Sequence, residues 1–369
     1  MLYLDNAATT FPKPPEVVRA VEETMLYAGA NPGRAGHRLS LAAGRVVDKT
    51  RRSLASFLQV SNPENLVFGL NCTDMLNTAI FGAVQRGWEV ASTVWEHNSV
   101  LRPLHYLQAE GVIKLRLAPT IEQAITRRTK MVVLTHASNV TGLIQPIEAV
   151  AELCRMRGIL FIVDAAQTAG ILPLFPENWG IDMVAMPGHK GLYGPQGTGA
   201  LYIREGLHLQ PARHGGTGTS SAQVLQPNER PERYEAGTLN TPGLAGLGAG
   251  VEYVIENRAK IYANELLMVK RLLIGLCSMD RVTVYGSPEA HARVGTVSFN
   301  IRGLGSQEVA DGLDEFGICV RGGLHCAPLT HQSLGTAEQG AVRVSLGAFN
   351  GFSDVEQLLD AVKFIAAKA

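Results

Sequence analysis

The 369-residue sequence predicts an α/β protein, with a mostly parallel central sheet carrying helices on both faces and a smaller α+β C-terminal domain after it. Three observations predict this. From about residue 16 to residue 200, helical patterns alternate with short apolar runs that lack polar alternation, as strands buried on both faces do. After a long helical stretch beginning near residue 244, the pattern changes to short strands and amphipathic helices. The length also exceeds one ordinary domain, and 46% hydrophobic residues suffice for a large core. The division expected is a large domain over 16–255 and a small one built from 1–15 and 256–369.

The elements follow in order. Helix spacing marks 16–27 and 41–58. Apolar runs at 66–68, 131–134, 160–163, 183–186 and 200–203 read as buried strands, and a further strand-like run precedes His97. Residues 206–241 are polar and rich in Gly and Pro, a long excursion of the kind that is functional or faces a partner. The long helix is expected to bend near Asn257. Strands at 282–285, 296–301, 318–320 and 342–345 then alternate with helices at 307–316 and 355–367.

Charge and cysteine content exclude whole classes of function. Lys+Arg and Asp+Glu both total 33, so no basic field draws nucleic acid or an anionic membrane. No apolar run approaches the roughly 20 residues of a membrane-spanning helix. The first residues contain Asp5 and no long apolar block, unlike a signal peptide. The five cysteines show no zinc-like pairing and suit free thiols in a reducing compartment. A soluble cytoplasmic protein without a metal site is expected.

In open α/β sheets, ligands lie beyond the carboxyl ends of the strands, where this chain places its polar motifs. In "LFIVDAAQTAG", Asp164 follows an apolar run and reads either as a turn or cap residue or as a cleft carboxylate. The next run leads into "PGHKGLYG", whose Lys190 reads either as a loop lysine or as a reactive amine. If the two strands are parallel neighbours, Asp164 and Lys190 emerge on one edge. That pairing suits pyridoxal 5'-phosphate, which needs a lysine for a Schiff base and a carboxylate for its pyridine nitrogen. In "GLNCTDMLN", a helix opening at Thr73 offers amides and a hydroxyl to a phosphate, or Thr73 caps its own helix. Cys72, beside it, is ambiguous. His97 in "WEHNS" could stack on a ring or be a satisfied core histidine, and Asn139 in "SNVTG" is a donor to ring or substrate. In "RGGLHCAP", Cys326 lies near cationic groups that favour its thiolate. Cys154, Cys277 and Cys319 read as packing residues. Arg343, among apolar residues, needs a substrate carboxylate or a structural salt bridge.

In this order, "EHNS", "SNVTG", "DAAQ", "GHKGLYGPQGTG", "EAGTLNT", "RGGLHCAP" and "RVSLG" resemble the class V aminotransferases, and within them the cysteine desulfurases. The resemblance implies the pyridoxal phosphate-dependent transferase fold of type I, and L-cysteine desulfuration. Sulfur would leave as a Cys326 persulfide, with release of L-alanine, for iron–sulfur cluster assembly or other sulfur transfer. Lys190 would hold the cofactor covalently and shuttle a proton, Asp164 would meet the pyridine nitrogen, Gln167 the ring hydroxyl, and His97 the ring face. Thr73 and His189 would hold the phosphate, joined by Thr238 from the neighbouring subunit of a homodimer. Asn139 and Arg343 would bind substrate, and Asn6, Ala7 and His37 would line the pocket. The persulfide would pass to a sulfur-acceptor protein. A selenocysteine lyase or an aminotransferase on the same scaffold are the alternatives. Pro187 departs from the family pattern, in which a serine often serves the phosphate.

Overall fold

The computed structural model describes residues 1–32 and 36–368, and its apolar runs assemble into a seven-stranded sheet. The order across the sheet is Leu66–Gly69, Gly199–Ile203, Met183–Pro187, Leu160–Asp164, Thr129–Thr135, Trp88–Thr93 and Ile113–Ala118. Neighbours from Met183–Pro187 to Ile113–Ala118 run parallel, while Gly199–Ile203 is antiparallel to both its partners. Every residue of Met183–Pro187 and Gly199–Ile203 is buried, as both faces of the sheet are covered. Thr135 lies opposite Asp164, and Asp164 opposite Ala185. These strands therefore end nearly flush, and the loops leaving them share one edge.

Ile113–Ala118 has no counterpart among the strands expected from the sequence. It is the edge strand, and Lys114 on its wet side breaks the apolar run on which the other strands were recognised. The run expected over 318–320 is split. Ile318–Cys319 pairs in parallel with the N-terminal Leu2–Tyr3, and Arg321–Gly323 joins a four-stranded antiparallel sheet. That sheet runs in the order Arg321–Gly323, Ala341–Ser345, Thr296–Ile301, Val282–Tyr285.

One 37-residue helix, Thr241–Cys277, joins the two cores. Leu244, Leu247, Val251, Val254 and Ile261 pack with the large sheet, and Met268 through Leu276 with the small one. The helix passes from one core to the other between Ile261 and Met268, a few residues beyond the 255/256 division. No break interrupts it at Asn257, whose Nδ2 donates to Tyr253 O at 2.9 Å. Gly250 permits its closest approach: a Cβ there would stand 2.3 Å from Leu192 O, in the turn that follows Lys190. Among the described residues, no helix is long and apolar enough to cross a membrane.

Glu265, on this helix, is 3% exposed, and its Oε2 has no partner. Burial pushes its carboxyl up from 4.5 to about 8. The folded state thus keeps a proton that the unfolded chain releases, so this contribution to stability is complete below 4.5 and lost as pH rises through about 8. At 1.36 kcal/mol per unit the loss is on the order of 5 kcal/mol. Glu265→Gln is therefore expected to flatten the fall in urea-unfolding free energy across that range. Equal slopes for variant and wild type would show that this carboxyl does not titrate as its burial requires.

The 206–240 excursion contains no helix or strand. It is pinned by Glu235, whose two oxygens accept from Arg51 at 2.8 and 2.9 Å. Glu235 Oε1 also accepts from Phe68 N at 2.6 Å, so the buried pair locks the excursion to the first strand of the large sheet.

Candidate active site

The loops at the flush edge form a cleft. Cys72, Thr73, His97, Asn139, Asp164, Gln167, His189 and Lys190 line it, together with Pro187, which offers neither an N–H nor a hydroxyl. Asp164 ends its strand and is 2% exposed. Its Oδ1 accepts from Ala166 N at 2.9 Å and from the Cys72 thiol at 3.5 Å, and Oδ2 has no hydrogen-bond partner among the described residues. Burial raises the Asp164 carboxyl and lowers the Lys190 amine, each working against the charged form. Burial also raises the Cys72 thiol, with Asp164 adding to the shift, so Cys72 is a neutral donor to Asp164 rather than a nucleophile.

Lys190 sits in a rigid turn. Its carbonyl accepts from Tyr193 N at 2.8 Å and from Thr10 Oγ1 at 3.1 Å. Gly170 packs against the same turn, where a Cβ would stand 1.9 Å from Gly191 O. This close packing holds the backbone so that the Lys190 amine points from a fixed place. Lys13 is a second amine at this turn. It donates to Thr10 Oγ1 at 2.7 Å and His189 O at 2.8 Å, and burial pulls it down to about 8.

The helix beside the cleft is Cys72–Ala83, and Asn71 caps it by accepting from Asp74 N at 2.9 Å. Thr73 is not the cap, because Asn71 reaches the free amide first. Its hydroxyl instead lies 2.7 Å from Ser99 Oγ, which in turn lies 2.8 Å from His97 Nδ1. Ser99 N donates to the same nitrogen at 3.0 Å, so Nδ1 is an acceptor and Nε2 carries the ring proton. Burial, then Lys190, pushes His97 down to about 4, and the ring is neutral. Sequence reasoning missed Ser99 and Glu96, which flank His97 in "EHNS". Glu96 is fully buried, accepts from Thr93 Oγ1 at 2.7 Å and Thr135 N at 2.8 Å, and is raised to about 8 chiefly by burial.

Among the other expected residues, Asn6 and Ala7 line a cavity with Gln167 and Lys190, while Arg343, His37 and Thr238 are placed differently. Arg343 donates from Nη2 to Asp5 Oδ1 at 2.7 Å and from Nη1 to Asn139 O at 3.2 Å, so the structural salt bridge is present. Its Nε is buried without a partner. Asp5 also bonds Arg321 at 3.1 Å, a role the sequence did not reveal. The Asn6 amide is occupied by Ser345 O at 3.0 Å and Asn350 Oδ1 at 3.2 Å, clamping the N-terminus to the small sheet. Ala7 presents its carbonyl to Gln167 Nε2 at 3.2 Å. His37 is exposed, caps Arg38–Leu58 by accepting from Ser40 N at 3.2 Å, and does not line the cleft. Thr238 is exposed in a separate groove with Arg51 and Glu235.

Cys326 is exposed on the loop after Arg321–Gly323, and its carbonyl accepts from Asn98 N at 2.8 Å, beside His97. The loop is also held by Asn139 Nδ2, which donates to His325 O at 2.7 Å. Of the cysteines expected to pack, Cys154 is buried and pushed up to about 12, and Cys319 is half-buried. Cys277 is exposed, because the last turn of the long helix faces solvent there.

These residues fit a bound pyridoxal phosphate. His189 Nδ1 is buried with no partner, Asp164 keeps a free oxygen, and Thr73 stands in the first turn of a helix where amides favour a phosphate. The family model described as "Aminotransferase class-V" matches residues 2–358. A probable cysteine desulfurase of Methanothermobacter thermautotrophicus is 35% identical over 99% of this chain and 94% of its own length. Another, from Pyrococcus abyssi, is 33% identical over 97% and 92%. The apo structure of the cysteine desulfurase from Thermococcus onnurineus NA1 superposes with a TM-score of 0.94 at 34% identity, over 100% of this chain and 95% of that one. The cysteine desulfurase CsdA (S-sulfonic acid) from Escherichia coli gives 0.87 at 26% identity, over 99% and 94%. By this match along its whole length, the chain belongs to the class V aminotransferases and, within them, to the cysteine desulfurases.

Proposed function

We propose that the protein is a pyridoxal phosphate-dependent L-cysteine desulfurase, with its active site at Lys190 and Cys326. One observation carries this reading: a half-buried lysine and a buried carboxyl share a cleft at the strand ends, with an exposed cysteine loop bonded to its rim. Bound there, the cofactor supplies an aldehyde that takes up the substrate amine and a ring that withdraws electrons from its Cα.

The chain's own groups do the rest. Lys190, whose amine burial shifts toward the neutral form, is the amine that would bond the aldehyde and then accept the Cα proton. Asp164 would offer its free oxygen to the pyridine nitrogen, with Cys72 and Ala166 N orienting the other. Gln167 would serve the ring hydroxyl, the neutral His97 ring the ring face, and Thr73 and His189 the phosphate. The unpartnered Arg343 Nε and the adjoining Asn139 receive the substrate carboxylate. The Cys326 sulfur would attack the substrate sulfur, the Cβ–S bond would break with its electron pair going to Cβ, a persulfide would form on Cys326, and L-alanine would leave once Cβ has taken a proton. Exposure of Cys326 supports onward transfer to an acceptor protein. Thr238, which lines a groove other than its own cleft, would serve the phosphate in the partner of a homodimer.

The test is incubation with L-cysteine and a dithiol reductant, following alanine and sulfide together. Equal amounts of the two are expected. Absence of alanine, or alanine formed only when an α-keto acid is added, would sink the reading.

A further inference from the structure

His325 and Cys326 both adopt left-handed backbone, with φ of 51° and 56°. Side chains with a Cβ resist that region, so two in succession persist only when their surroundings hold them. Two main-chain anchors have been described, at Asn139 and Asn98. A third runs through the His325 ring into the protein. His325 Nε2 lies 3.1 Å from Arg321 O, His325 Nδ1 lies 3.3 Å from His331 Nε2, and His331 Nδ1 lies 2.8 Å from Thr336 Oγ1.

Chemistry gives this chain one direction. A carbonyl only accepts, so His325 Nε2 carries the proton and its Nδ1 is a lone pair. His331 Nε2 must then donate to it, which leaves His331 Nδ1 to accept from the Thr336 hydroxyl. Both ring nitrogens of His325 are occupied, so it is not a base for the neighbouring thiol. A second proton on His325 would set two N–H groups against each other. His325, His331 and Thr336 are 7%, 0% and 2% exposed. The charged and titratable groups facing His325 are Arg343 from Ala341–Ser345, Arg321 from Arg321–Gly323 and His331 from Pro328–Ser333. Burial first, then Arg343, pushes His325 down to about 3.

We propose that His331 and Thr336 are positioning residues for the sulfur-transfer step, fixing the His325 ring and through it the backbone that presents Cys326. The proposal rests on Cys326 being the sulfur acceptor.

The test uses the cofactor-loaded enzyme. Glutamine at position 331 can offer an N–H where imidazole Nε2 stands, whereas leucine cannot. His331→Leu is expected to lower kcat by about 10²-fold, the scale of an ångström misplacement, with KM for L-cysteine and the bound-cofactor absorbance unchanged. His331→Gln is expected to restore most of the rate. Should His331→Leu fail to fold, Thr336→Val keeps the shape and removes only the hydroxyl; a smaller loss in kcat is expected, recovered in Thr336→Ser. Wild-type kcat in the foldable non-donating variant overturns the proposal, as does no difference between His331→Gln and His331→Leu. Cys326→Ser is assayed alongside. If it desulfurates at the wild-type rate, the functional reading falls first; if it is dead while His331→Leu and Thr336→Val are fully active, only the positioning role falls.

Discussion

Lys190→Ala is expected to lose the covalently held cofactor and, with it, turnover of L-cysteine by a factor on the order of 10⁶, the scale seen when a nucleophile is removed. Lys190 stands on the same strand-end edge as Asp164, in a turn whose glycines leave no room for movement. Burial keeps its amine closer to neutrality than in water, which both bonding an aldehyde and accepting a proton require. The rival is Lys13, whose amine bonds His189 O at 2.8 Å and is also lowered by burial. Borohydride reduction of the loaded protein, followed by peptide mass analysis, separates the two. The wild type should carry the cofactor on the peptide containing Lys190. Labelling of the Lys13 peptide, or an unchanged visible spectrum in Lys190→Ala, would refute the assignment. Lys190→Arg should fail equally, since guanidinium stays protonated and is no nucleophile.

Cys326→Ser should separate the two halves of the reaction. The cofactor site and the substrate groups at Arg343 and Asn139 are untouched, so cofactor absorbance and KM should hold. The hydroxyl cannot take up sulfur, and kcat should fall by more than about 10³-fold. Cys72, which lines the cleft, is a poor substitute because burial and Asp164 keep its thiol protonated. Non-reducing peptide mapping after one turnover should find one extra sulfur on the Cys326 peptide of the wild type and on no peptide of the variant. Wild-type turnover in Cys326→Ser would end the nucleophile assignment.

The candidate site was legible where residues near in sequence declare it. Asp164 and Lys190 each close or follow an apolar run, and parallel pairing of those runs is enough to bring them to one edge. Most of the large sheet was legible for the same reason, since runs buried on both faces need no polar alternation. The edge strand Ile113–Ala118 was not, because Lys114 on its open side resembles a loop. Within the site, the less legible features were choices between competing partners. Thr73 and Asn71 are both good caps by residue type, and only the placement of the Asp74 amide decides for Asn71.

By itself, the sequence determined the α/β plan, the strand-end address of Lys190, Asp164, His97 and Asn139, and the separate loop bearing Cys326. These follow from periodicity and punctuation, which are local properties of a chain. Only the tertiary structure decided that Arg343 is shared with Asp5, that Asn6 clamps the small sheet, that Ser99 sets the His97 tautomer, and that His331 stands behind the cysteine loop. The physical reason is that a buried polar group bonds whichever partner the packing brings within about 3 Å. For Arg343 and Asn6 those partners lie more than 300 positions away in the chain.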